Sequence, residues 1–177
     1  MRIAISGAHR TGKTTLIEEL LRFLPTYVAI DEPYRLLEEE GYEFAEMPSR
    51  EDFELQLQRS IDLVVEGEGD QIFDRCPADI LAYLIAYCDG EGFTVEDWLP
   101  QVRTAMDRLD LIVFVAVEQP DRVTVSAPDS LELRRRVDEE LRDIVPGDRW
   151  EFGVETLEVA GTTAARVRQV LANLDRG

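Results

Sequence analysis

A chain of 177 residues is long enough for one domain with a sizeable core and short for two. Acidic side chains outnumber basic ones 37 to 19, and the resulting net charge of -18 repels phosphate backbones and acidic membranes. Either partner would need a local basic patch, so neither a nucleic acid nor a membrane is expected to bind. The acidic excess is spread along the chain, as in a solvated surface.

Arg2–Ser6 reads as a short strand, and Thr14–Leu24 carries apolar residues at helical spacing until Pro25. Tyr27–Ile30 is a second strand, followed by a short helix, Pro33–Glu40, ended by Gly41. Ser49 and Asp52 form a capping-box pattern before a helix that runs to about Glu66. Gln71–Asp74 is the third strand, and a helix from Pro77 runs to near Gly90. Thr94 with Asp97 caps the next helix. Leu109–Val117 is the most hydrophobic strand, as expected for one buried on both faces. Ser130–Ile144 is a strongly charged helix behind a Pro-containing loop, Val154–Ala160 the last strand and Thr162–Leu174 the last helix.

Strands alternating with helices predict an α/β fold, a five-stranded parallel sheet with helices on both faces. With no repeat or linker, residues 1–177 read as one domain. No basic segment leads into a signal-length apolar stretch near Met1, and the run Leu111 to Val117 is far too short to span a bilayer. Cys76 and Cys88 lack metal spacing and read as free thiols of a reducing cytosol. A soluble, cytoplasmic protein is expected.

One short stretch carries chemistry. Gly7-Ala8-His9-Arg10-Thr11-Gly12-Lys13-Thr14 matches G-x-x-x-x-G-K-[ST], the phosphate-binding loop, between a strand and a helix as that loop requires. Its glycines let backbone N–H groups point at phosphate oxygens, and the following helix adds the positive end of its dipole. Lys13 is the only lysine of the chain. As a compact charge on a flexible stem it suits the β- and γ-phosphates of ATP, where arginine's planar fork is a poor substitute. Thr14 offers a hydroxyl to Mg²⁺, and Thr15 completes the cradle. His9 is the only histidine and lies among the positions where such loops tolerate many residues.

Further motifs extend this reading. Asp31-Glu32-Pro33 resembles the Glu-Pro signature of deoxynucleoside kinases. Asp74-Arg75-Cys76 resembles their acidic-Arg-Ser motif and the Asp-Arg motif of thymidylate kinases. Taken together, GAHRTGKTTL, DEPYRLLEEEG and FDRCPADILAYL are similar to the nicotinamide riboside kinase-like ATP-binding proteins of the AAA-domain type, where Asp-Arg-x-x-x-Asp follows Glu-Pro. The resemblance implies a P-loop NTPase fold and an ATP-dependent kinase that passes the γ-phosphate to a small hydroxylated acceptor, nucleoside-like or nucleotide-like.

In that scheme Glu32 matches the family's acceptor-side base, with Asp31 the competitor, and either one can instead cap the helix at Pro33. Asp74 holds Mg²⁺ through water, and Arg75 reaches a phosphate or the acceptor-side carboxylate. Leu133-Arg134-Arg135-Arg136 resembles the kinase lid, expected over about 126–142 with Arg134 and Arg135 as its agents. Arg136, Arg122 and Arg142 are alternatives. Three consecutive arginines point in different directions, so not all reach one site, and pairs such as Arg135–Glu139 also fit a solvated helix. Phe53, Gln56, Gln58 and Arg59 lie on a helix that in deoxynucleoside kinases meets the acceptor's base. The stripe Phe53, Leu57, Ile61 and Val64 equally suits plain core, as does Trp98 for core or rim.

Other classes fit less well. A GTPase needs Asn-Lys-x-Asp, which a chain with one lysine, already used, cannot supply. A ring ATPase ends its third-strand motif in Asp-Glu and adds a helical domain. The surviving alternative is a regulatory module that binds and hydrolyses ATP without a small-molecule acceptor. The sequence leaves the oligomeric state and the acceptor's identity open.

Overall fold

The structure is a computed structural model that describes residues 1–45, 47–88, 92–118 and 128–176, with residues 128–130 as backbone alone. Its elements follow the expected alternation: β1 (Arg2–Ser6), α1 (Lys13–Leu21), β2 (Val28–Ile30), α2 (Pro33–Glu39), α3 (Arg50–Glu66), β3 (Gln71–Asp74), α4 (Pro77–Cys88), α5 (Val95–Met106), β4 (Leu111–Val115), α6 (Pro128–Ile144), β5 (Glu155–Val159) and α7 (Thr163–Leu174). The strands form one parallel sheet in the order β2-β3-β1-β4-β5. Ile3 pairs with Ile72 on one side and Leu111 on the other, which makes β1 the centre.

Both faces of the sheet are buried along its central strands β3, β1 and β4. Ala4, Phe73, Ile112 and Phe114 turn to the layer that holds α3 to α6. Ile3, Ile5, Ile72, Leu111 and Val113 turn to the layer that holds α1 and α7. That two-residue alternation, apolar on both sides, explains why β4 is buried throughout and reads as an unbroken apolar run. The chain leaves β1 for the β2–β3 side and later returns to build the β4–β5 side. The crevice at the carboxyl ends of the central strands is therefore the switch point of the sheet, where open α/β folds place their ligands.

Boundaries differ from expectation where side chains redirect the backbone. α1 stops at Leu21 because the N–H groups of Arg22 and Phe23 bond three residues back, to Glu19 and Leu20, tightening the last turn. β4 ends at Val115, since the Val117 N–H donates to Asp138 Oδ1 of α6 at 2.9 Å and not to a neighbouring strand. Leu109 precedes β4 in a turn closed to Met106. The Ser49–Asp52 capping box forms in both directions. The one expected at Thr94 does not: the Asp97 N–H bonds the Thr94 carbonyl, and the Thr94 hydroxyl caps nothing. Thr162 does cap α7, accepting from the Ala165 N–H at 3.3 Å.

The segment of the expected lid, about 126–142, is described from residue 128 onward. Ser126, Ala127 and Arg122 lie outside the described residues, as does the expected end of α4 near Gly90. From Leu133 onward α6 is docked: Val137, Leu141 and Ile144 are buried against the layer of α4. Lifting this part would uncover that apolar surface, at about 2 kcal/mol per large side chain. Among the described residues no helix is long and apolar enough to cross a membrane.

Candidate active site

The loop from Gly7 to Thr14 leaves the carboxyl end of β1 and enters α1. Two glycines are required by its shape. A Cβ on Gly7 would sit 2.3 Å from the Val115 carbonyl oxygen, and Gly12, the cap of α1, holds φ at +89°. Arg10 also adopts a left-handed backbone, φ 59°. Thr11 Oγ1 donates to the Ala8 carbonyl at 3.0 Å, and Lys13 Nζ to the same oxygen at 3.0 Å. Lys13 is buried, and burial together with the nearby Arg75 charge pulls its pKa down to about 8, against the pull of Asp74, Asp79 and Glu32. Thr14 and Thr15 stand exposed in the first turn of α1.

Asp74, the last residue of β3, reaches across to that turn: Thr14 Oγ1 donates to its Oδ2 at 2.8 Å. Among the described residues its Oδ1 is buried without a hydrogen-bond partner, and burial raises the carboxyl's pKa. A carboxylate oxygen kept dry and unpaired beside a threonine hydroxyl is a donor set suited to a hard cation. Among the described residues no three of His, Cys, Asp and Glu converge to hold a metal by themselves. A cation here would complete its shell with water and phosphate oxygens, as Mg²⁺ does.

Arg75 follows at φ 81°, a strained backbone for arginine, anchored by its N–H to the Ile5 carbonyl. Its Nε donates to Glu32 Oε2 at 3.0 Å and its Nη1 to the Gly7 carbonyl at 3.1 Å. Burial opposes the charge, but Tyr83, Asp79, Glu32 and Asp74 outweigh it and raise the pKa. Glu32 occupies the cap position of α2 yet makes no capping bond, because its carboxylate turns to Arg75. Asp31 is exposed and pairs with Arg35 at 3.8 Å along the helix surface. Of the two acids, Glu32 alone faces the loop.

Among the arginines of α6 the structure separates Arg134 and Arg135, the partners expected together. Arg134 is buried, and its Nε donates to the His9 carbonyl at 2.8 Å. Arg135 is 62% exposed and pairs with Glu139 at 2.5 Å, one turn along the helix surface. One residue on α6 is a rotation of about 100°, so the two cannot share a face. Arg142 serves Asp138 and Glu158.

Three residues without a sequence-based role hold the site. Asp79 is fully buried in the first turn of α4. Its Oδ1 accepts from Ser6 Oγ and the Gly7 N–H, its Oδ2 from the Cys76 N–H and thiol. The spacing Asp-Arg-x-x-x-Asp contained that signal. Arg166 of α7 is buried and donates to the Thr11 carbonyl at 2.7 Å and to Glu118 at 2.9 Å. Its partner lies 155 residues away, beyond the reach of any local pattern. Tyr83 receives the His9 N–H at 3.0 Å and lies hidden in an apolar helix.

Two cavities flank the loop. One, of about 320 Å³, lies between His9, Glu32 and Arg75 and the aromatic groups Tyr34, Phe44, Phe53 and Tyr83, with Gln56 on its wall. The other, of about 410 Å³, lies on the far side among Arg10, Thr11, Gly12, Arg134, Thr162 and Arg166. Phe53 of the α3 stripe and the neighbouring Gln56 thus reach a cavity, while Leu57, Ile61 and Val64 are core. Trp98 packs half-buried at the core's rim.

The arrangement has counterparts. Deoxyadenosine kinase from M. mycoides superposes with a TM-score of 0.70 at 14% identity over 99% of each chain. Thymidylate kinase from Candida albicans gives 0.65 at 16%, covering 99% of this chain and 91% of its own. Shikimate kinase from Aquifex aeolicus gives 0.59 at 19%, over 99% and 97%. At such identities the likeness is one of fold, that of the P-loop kinases. No curated protein matches the sequence significantly. A family model described as an AAA domain matches residues 2–166, from the first strand into the last helix. With that match over nearly its whole length, this chain belongs to the AAA domain family.

Proposed function

We propose that the protein is an ATP-dependent phosphotransferase that moves the γ-phosphate to a hydroxyl of a small, nucleoside-like acceptor. The observation that carries this reading is the pair of cavities meeting at one loop, one rich in arginine and the other aromatic with a carboxylate at its mouth. ATP would place its triphosphate in the loop and its base toward Thr162 and Arg166. The acceptor would lie among Phe53, Tyr34 and Tyr83, with its hydroxyl near Glu32. The kinase-like fold supports this, and the deoxyadenosine kinase structure carries dCMP as a product in the same architecture.

Within this scheme Lys13 donates to the β- and γ-phosphate oxygens in place of the Ala8 carbonyl. Glu32 accepts the proton of the acceptor hydroxyl, and Arg75, already paired with it, keeps that carboxylate aimed. Thr14 and Asp74 would hold Mg²⁺, whose charge offsets that of the phosphates when bound. Arg134, fixed against the loop, contributes positive charge beside the triphosphate.

The deciding experiment is product analysis with ATP, Mg²⁺ and a panel of adenosine, cytidine, thymidine and nicotinamide riboside. Phosphorylated acceptor in at least one reaction is expected. ATP turnover that no acceptor accelerates, with phosphate released to water, points to the hydrolysing regulatory module instead.

A further inference from the structure

Asp52 does more than complete the cap of α3. A capping box asks one side-chain oxygen of its third residue to turn back to the cap. Asp52 does this with Oδ2, which accepts from the Ser49 N–H at 3.2 Å and from the Ser49 hydroxyl at 2.7 Å. In return the Asp52 N–H donates to Ser49 Oγ at 3.1 Å. The other oxygen, Oδ1, accepts from the Tyr42 hydroxyl at 2.9 Å, ten residues back in the chain. Asp52 is buried, and a carboxylate with little access to water depends on the donors it is given.

These bonds hold both ends of one connection, that between α2 and α3. At the end of α2 the Gly41 N–H bonds the Glu38 carbonyl and the Tyr42 N–H the Leu37 carbonyl, a turn that closes the helix. From Tyr42 a chain of ring contacts leads to the aromatic cavity. Its ring meets Phe44 edge-on at 4.8 Å, and Phe44 stacks on Tyr34 of α2 at 4.3 Å. Near the other end, the Pro48 carbonyl accepts from the Tyr87 hydroxyl of α4 at 2.5 Å. Phe44, Ala45 and Pro48, which all lie between the two points held by Asp52, line the cavity. Tyr42 and Ser49 do not line it themselves.

We infer that Asp52 is a positioning residue for the acceptor: with one oxygen on Tyr42 and the other on Ser49, it fixes the wall of Phe44, Ala45 and Pro48 against which a flat acceptor ring rests. The inference rests on the reading of that cavity as the acceptor site. The cap of α3 needs only the bonds to Ser49, so the bond to Tyr42 serves the wall. An acceptor that binds only when the wall is in place loses affinity in proportion to the time the wall spends displaced. ATP, on the other side of the loop, is indifferent to it.

The test separates the wall from the cap. Tyr42→Phe removes one hydroxyl from a residue that is 38% exposed and keeps its ring against Phe44. Steady-state kinetics use ATP, Mg²⁺ and whichever of adenosine, cytidine, thymidine and nicotinamide riboside is phosphorylated. Tyr42→Phe is expected to raise the KM for that nucleoside about three- to tenfold, bounded by the worth of one hydrogen bond to a charged group. The ATP KM and the melting temperature should hardly move. Ser49→Ala, which removes the cap, should lower the melting temperature as well. Asp52→Asn can keep both ends, its amide oxygen accepting from Ser49 and its NH₂ donating to the Tyr42 oxygen, and should stay near wild type. Asp52→Ala should not. In the Asp52→Ala background Tyr42→Phe should raise the nucleoside KM no further, a coupling that two separate structural defects would not show. Hydrogen exchange read by mass spectrometry reports on the wall without any activity. Peptides covering residues 41–49 should exchange about threefold faster or more in Tyr42→Phe, with those of α1 unchanged.

An unchanged nucleoside KM in Tyr42→Phe overturns the positioning role. If Asp52→Ala alone raises it, the carboxylate itself meets the acceptor. Additive effects of the two substitutions also overturn it. Unchanged exchange in Tyr42→Phe shows that Asp52 does not hold the wall. Should Asp52→Ala fail to fold, Tyr42→Phe decides both points by itself. Phosphorylation of none of the nucleosides defeats the kinase reading and the positioning role together, and exchange still decides whether Asp52 holds the wall.

Discussion

Asp31 and Glu32 are adjacent in sequence and opposite in direction, one toward Arg35 and water, the other toward Arg75 and the loop. Glu32→Gln is therefore expected to lower the rate of acceptor phosphorylation by about 10²–10⁴, with a much smaller change in ATP binding. Asp31→Asn should leave it within a few-fold, and a larger loss from Asp31 would move the base by one residue. Single-turnover transfer of labelled phosphate reads the difference. His9 supplies a second residue-level expectation. Its folded-state pKa of about 4 lies below the ordinary 6.5, so the folded chain resists a proton that the unfolded chain accepts. The stability this contributes is complete above about pH 6.5, is lost as pH falls toward 4, and loses nothing further below that. Comparing urea midpoints at pH 7 and pH 5, wild type should drop more than His9→Gln. Equal drops would show that the ring titrates normally.

At the scale of elements, the buried face of α6 is expected to behave as a wall. Amides of its buried turns around Val137, Leu141 and Ile144 should exchange slowly without any nucleotide, a pattern that hydrogen exchange read by mass spectrometry would reveal. Arg134→Ala should weaken ATP binding and lower the melting temperature, because it leaves the His9 carbonyl without that donor. Arg135→Ala, removing only an exposed pair, should change stability by less than about 0.5 kcal/mol. Equal effects from the two would contradict the separation of their directions. These helices also show what the sequence could and could not disclose. Element order was legible because apolar period and cap chemistry are local: the Ser49 box and the run of β4 needed no knowledge of neighbours. Ends of elements were less so, since Asp138 draws Val117 out of the sheet from another helix. The loop's identity was plain from Gly7 to Thr14. Its supports, Asp79, Tyr83 and Arg166, act through contacts tens of residues away, and Arg134 could be told from Arg135 only once the helix had a packed face.

For the molecule as a whole, the excess of 37 acidic over 19 basic side chains works against compaction. Many acids are paired on the surface, as Glu19 with Arg22 and Glu140 with Arg149, but exposed pairs contribute little and the remainder repel. Raising NaCl from low ionic strength to 0.15 M, where the screening length falls to about 8 Å, should therefore raise the urea midpoint. A midpoint that falls with salt would mean that the attractive pairs outweigh the repulsion.

The reach of Arg166 to the Thr11 carbonyl carries a consequence for how the protein is made. The loop emerges from a ribosome well before the helix that braces it, which follows five strands and six other helices among the described residues. Until α7 docks, residues 7–14 lack the guanidinium that secures their crest, whatever the state of Lys13. A nascent chain, though it already displays the whole phosphate-binding motif, would grip a triphosphate only when synthesis had passed Arg166, so competence arrives late and all at once.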